Sequence, residues 1–193
     1  MSRARALALC AAALTTSALL LALPASAHAP DPTRTVRGSG RAAPSGEVEL
    51  DLLVDQRLPR GAARLQRARF DVDRDGRLSD AEARLLGAEV APLVLRGIVL
   101  QQGAAPLVPR SQEATARVEG RDLVRVAVLL RFSVASPPTE ALSLAITPDA
   151  ASGLEPVRVS LAPLGAEPAS HTPEVLVRPG DPPTPWPVAP RQR

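Results

Sequence analysis

The chain has 193 residues, a formal net charge of +3, 21 prolines, two histidines, one cysteine and only 2% aromatic residues. That length suits one domain of moderate size. Every basic residue is an arginine, and the arginines are interleaved with acids rather than clustered; with almost no aromatics to stack on bases, this excludes a nucleic-acid binder.

Residues 1–27 read as a cleaved secretory signal peptide. Arg3 and Arg5 form its positive start, residues 6–23 its apolar stretch, and Ala25-Ser26-Ala27 its small-residue cleavage site. Removing it takes away Cys10, so the mature chain has no thiol and no disulfide. No later stretch is long and apolar enough to span a bilayer, and no stable membrane insertion is expected after cleavage. Location is thus expected to be secreted or periplasmic.

Residues 28–46 are rich in Pro, Gly, Ser and Arg without a hydrophobic period, which predicts a flexible linker. Residues 47–54 alternate, with Val48, Leu50 and Leu52 on one side and Glu47, Glu49 and Asp51 on the other, which predicts a half-buried strand. A helix is predicted over 58–70, with Pro59 in its first turn. A second is predicted over 79–95, with Leu86, Val90, Leu93 and Val94 at helical spacing, Gly87 weakening it and Pro92 bending or ending it. Strands follow at 97–101, 106–109, 113–119, 123–134, 142–147 and 157–164; the strongest alternation is Val124, Val126, Val128 and Leu130. Residues 165–193 hold eight prolines and the sole Trp186, and are expected to be a disordered tail.

Between the two helices lies FDVDRDGRLSDAE, residues 70–82. From Asp71 it fits the spacing D-x-[DN]-x-[DN]-G-x₅-E of a twelve-residue calcium loop. Asp71, Asp73 and Asp75 stand at positions 1, 3 and 5, Gly76 at the sharp turn and Glu82 at position 12. Arg77 at position 7 offers its backbone carbonyl, and Ser79 at position 9 can act through water. All these donors are oxygens, which suits a hard cation such as Ca²⁺. Ser79 and Glu82 also have the spacing of a capping box.

Over residues 58–95 the chain resembles the EF-hand calcium-binding family, with a single hand in a secreted bacterial protein. Two positions depart from the family's pattern: Phe70 is apolar as expected before the first Asp, but Gln66 and Arg67 stand where apolar residues are usual. An unpaired hand must bury its helix faces elsewhere. The expected fold is therefore α+β, one EF-hand packed on a small antiparallel β-sheet or sandwich at 47–164, between the disordered linker and the tail. That order resembles bacterial extracytoplasmic segments in which one EF-hand interrupts a β-domain.

With His28 and His171 in the linker and tail and no mature thiol, nucleophilic and His-metal catalysis lack their groups. No enzymatic activity is expected. The expected function is a calcium-binding module whose ion braces the domain. The alternative is an envelope interaction module engaging a protein partner through its β-surface or the Trp186 tail; a carboxylate-based hydrolase ranks last.

Overall fold

The two strands with the strictest alternation meet at the centre of the molecule. β2 (Glu47–Arg57) and β6 (Val124–Ala135) pair antiparallel, placing Leu50 opposite Phe132, Leu52 opposite Leu130 and Val54 opposite Val128. Opposed residues share a face, so one side of the pair is continuously apolar. Leu50, Leu52, Val54, Val126 and Val128 are fully buried there. The other side carries Asp51, Asp55, Arg125 and Arg131, with ion pairs from Arg125 to Asp55 and from Arg131 to Asp51.

The computed structural model describes residues 33–119, 123–148, 155–164 and 172–187. The signal-peptide reading of residues 1–27 lies outside these, as do 28–32 of the expected linker and 165–171 and 188–193 of the expected tail. In chain order the described elements are β1 (Arg34–Ala42), β2, α1 (Arg60–Phe70), α2 (Asp80–Val94), β3 (Ile98–Gln102), β4 (Ala105–Pro106), β5 (Ser111–Val118), β6, β7 (Leu142–Ile146), β8 (Val157–Leu161), β9 (Val175–Val177) and β10 (Thr184–Pro185). One sheet has the order β5-β6-β2-β1-β8-β9 and the other β10-β7-β3-β4. No helix among the described residues is long and apolar enough to cross a membrane.

This corrects the expected fold class. The described chain is mostly β, with about 45% of its residues in strands, two sheets, one of them curled into a half-barrel, and only two helices. It is not an EF-hand on a small antiparallel sheet. The larger sheet has six strands and is mixed, because β1 and β8 run parallel in the register Val36↔Val159.

The extra strands come from segments expected to be unstructured. β1 lies within the supposed linker and pairs with β2 along its whole length. Its inward positions are Arg34, Val36, Gly38 and Gly40, so the alternation is present but two inward residues have no side chain. Those gaps are filled from elsewhere. A Cβ on Gly38 would lie 2.5 Å from Trp186 Cη2, and one on Gly40 would lie 2.6 Å from Leu164 Cδ2.

The supposed tail is likewise part of the fold. β9 pairs with β8, and β10 pairs with β7 through Thr184↔Leu144. Pro185 is tolerated in β10 because that is an edge strand, where a missing N–H breaks no ladder. Trp186 is buried, with Nε1 donating to the Ala162 carbonyl at 2.9 Å and its backbone N–H donating to the Leu142 carbonyl at 2.8 Å. Trp186 therefore links Ala162, just past β8 of the larger sheet, to Leu142 in β7 of the smaller one.

Trp186→Ala should destabilise the protein by about 3–5 kcal/mol, the range for emptying a buried aromatic site. Denaturant unfolding measures it; a loss below about 0.5 kcal/mol, normal for an exposed residue, would contradict the buried placement.

Candidate metal centre

α1 ends where the acidic loop begins. The Asp71 N–H still donates to the Arg67 carbonyl at 2.9 Å, closing the last helical turn. The chain then turns through Arg74 at φ 59° and Gly76 at φ 79°. The left-handed conformation is what glycine tolerates best, which accounts for Gly76 at the sharp turn.

Side-chain oxygens shape the loop by accepting from its own backbone. Asp71 Oδ2 accepts from Gly76 N–H at 3.0 Å, Asp73 Oδ1 from Asp75 N–H at 3.2 Å, and Asp75 Oδ1 from Arg77 N–H at 2.7 Å. Glu82 ties the two ends together. Its Oε1 accepts from Val72 N–H at 2.8 Å, and its Oε2 accepts from both the N–H and the hydroxyl of Ser79 at 2.8 Å. Ser79 Oγ accepts in return from Glu82 N–H at 3.4 Å, completing the capping box of α2.

Glu82 is buried to 9% exposure, unusual for a carboxylate and acceptable only because it is so fully bonded. The Ser79 backbone N–H, then its hydroxyl, then Val72 N–H hold its pKa below the ordinary glutamate value, outweighing desolvation. Its share of stability is therefore present above the unfolded value of about 4.3 and is lost as pH falls through the lower folded value.

Of the residues selected from sequence, Asp71, Asp73 and Glu82 converge, each offering one carboxylate oxygen within 4.8 Å of the others. Asp75 is outside this trio and serves the turn through Arg77 N–H. Ser79 caps α2, and Arg77 is exposed at the turn. The trio fits a hard cation on two observations besides spacing. Its donors are all oxygens, and Asp71 Oδ1 is buried with no hydrogen-bond partner. The metal ligands would be Asp71, Asp73 and Glu82.

The rest of the molecule fixes this loop in place. α2 buries Ala83, Leu86, Gly87, Val90, Ala91 and Val94, whereas Leu93, expected on the same face, is 50% exposed. The buried face packs mainly on β5 and β6. Gly87 allows the contact, since a Cβ there would lie 2.6 Å from Thr115 N. Leu78 of the loop packs against the core. A cavity of about 430 Å³ between loop and sheet is lined by Gly76, Arg77 and Leu78 and by Thr115, Ala116, Arg117 and Val118 of β5.

Sequence reasoning missed one contact here. Arg67 Nη2 donates to the Gly76 carbonyl, joining the last turn of α1 to the loop. The signal was visible as a charged residue interrupting the apolar pattern of the first helix.

Ser79→Ala should cost about 1 kcal/mol of stability in calcium-free protein, the usual worth of an N-cap. Chemical denaturation with chelator present checks it; an unchanged midpoint would show that the cap carries no net stability. Comparison with protein-family models, curated proteins and solved structures returns no match.

Proposed function

We propose that this chain is a secreted or periplasmic calcium-binding protein, in which one EF-hand-type loop holds Ca²⁺ and braces a mostly β domain. The observation that carries this reading is the convergence of Asp71, Asp73 and Glu82 around a buried, unpartnered Asp71 Oδ1. The placement outside the cytoplasm rests on the signal-peptide pattern of residues 1–27.

The bound ion would supply a double positive charge that offsets the mutual repulsion of the loop carboxylates. The loop's hydrogen bonds already set most of its shape, so binding needs little rearrangement. A ligand that binds the native state and not the unfolded one stabilises by RT ln(1 + [Ca²⁺]/Kd), about 2.7 kcal/mol at a hundredfold excess. The strands lie outside the loop, so the calcium-free domain stays folded and the ion acts as a brace rather than a nucleus.

The alternative of a partner-binding Trp186 tail loses its observation, because that indole is buried. A partner engaging the β-surface is a separate matter and has no observation in its favour. No catalytic role is proposed, the converging carboxylates being those assigned to the ion.

Isothermal titration should give one site per chain with a Kd of order 10⁻⁵–10⁻³ M for calcium and weaker binding for magnesium. Glu82→Gln should weaken binding most and Asp71→Asn next, since they remove charge at positions 12 and 1. Calcium affinity unaltered by Glu82→Gln would sink the proposal.

A further inference from the structure

Arg67 lies four residues before Asp71, where the family resemblance calls for an apolar side chain. It is half-buried, unlike the exposed Arg74 and Arg77 of the loop itself. Its guanidinium donates to the Gly76 carbonyl, nine residues along the chain. The same glycine donates its N–H to Asp71 Oδ2 at 3.0 Å. Gly76 also makes room for the contact, since a Cβ there would lie 3.2 Å from Arg67 Nη2. A permanent positive charge is thus fixed against the turn that presents Asp71.

Resting on the calcium reading above, we infer that Arg67 is a built-in counter-cation of the loop, which stabilises the calcium-free state and weakens calcium binding. The loop gathers Asp71, Asp73, Asp75 and Glu82 within twelve residues. Without metal these carboxylates repel one another, and a guanidinium held at the turn offsets part of that repulsion. A divalent ion arriving at the same carboxylates is repelled by this charge. Salt screens a half-buried charge less than the exposed Arg74 and Arg77, so Arg67 has the larger effect. Losing it leaves the loop's shape in place, because the bonds accepted by Asp71, Asp73, Asp75 and Glu82 do not involve it. Arg67 is therefore a tuning residue, setting affinity on the weak side while offsetting charge repulsion in the empty loop.

The test is calcium titration, with thermal melts in chelator, on the full mature chain and on Arg67→Gln, Arg67→Lys, Arg77→Gln and Glu82→Gln. Arg67→Gln keeps a donor and removes the charge; it should tighten calcium binding about three- to tenfold and lower the calcium-free melting temperature. Arg67→Lys keeps the charge and should bind within about twofold of the parent, as should the exposed Arg77→Gln. Unchanged or weaker binding by Arg67→Gln, or equal tightening by Arg67→Lys, would overturn the counter-cation role while Glu82→Gln still abolishes binding. Parent-like binding by Glu82→Gln would instead overturn the calcium reading on which the role depends.

Discussion

One carboxylate holds the candidate site together. Glu82 accepts from Val72 N–H with one oxygen and from Ser79 with the other, so it joins the start of the acidic loop to the start of α2. Those bonds cap a helix, close a loop and place an acidic oxygen beside Asp71 and Asp73. Because α2 is anchored by Leu86, Val90 and Val94 in the core, Glu82 is carried on a fixed support. The position of the site is thus inherited from hydrophobic packing, and its shape from charge-assisted hydrogen bonds.

The association of helix and sheet serves both. An isolated helix pair of this length cannot bury its apolar face alone, since most helical stability in proteins comes from tertiary packing. β5 is an edge strand, and an uncovered edge invites pairing with other chains. α2 packs against β5, with Gly87 letting the helix backbone approach the strand backbone. The apolar face of α2 is covered by the chain's own sheet. Leu78 follows the same logic from within the loop, packing on the core.

The helices, the loop and the central strands were legible because each carried a local signal. Period-two alternation in Val124 to Leu130 and helical spacing in Leu86, Val90 and Val94 both matched the buried faces. The acidic loop was legible because its acids and its turn glycine lie close together in the chain. β1 was hidden because its inward residues include Gly38 and Gly40, whose space is filled by Trp186, Leu161, Leu164 and Leu50. No reading of residues 34–42 alone supplies those partners. β9, β10 and Trp186 were hidden for the complementary reason: their composition resembles an unstructured tail, and only the ladders to β8 and β7 give them a place. The fold class was misjudged through these segments, since β1 and β9 widen one sheet to six strands and β10 adds an edge to the other. Arg67 stood out in sequence only as an exception, and its meaning depended on the reach of its side chain to Gly76.

The central claim is that the domain holds the loop in shape and the ion braces it. The most direct measurement is an amide NMR titration of the mature protein with calcium, starting from chelator. The account predicts that the Gly76 amide, which donates to Asp71, shifts saturably with one ion per chain. The amides of Leu50, Leu52, Val126 and Val128 should stay dispersed and slowly exchanging throughout. A Gly76 amide that ignores calcium, or core amides that collapse to random-coil positions in chelator, would contradict it.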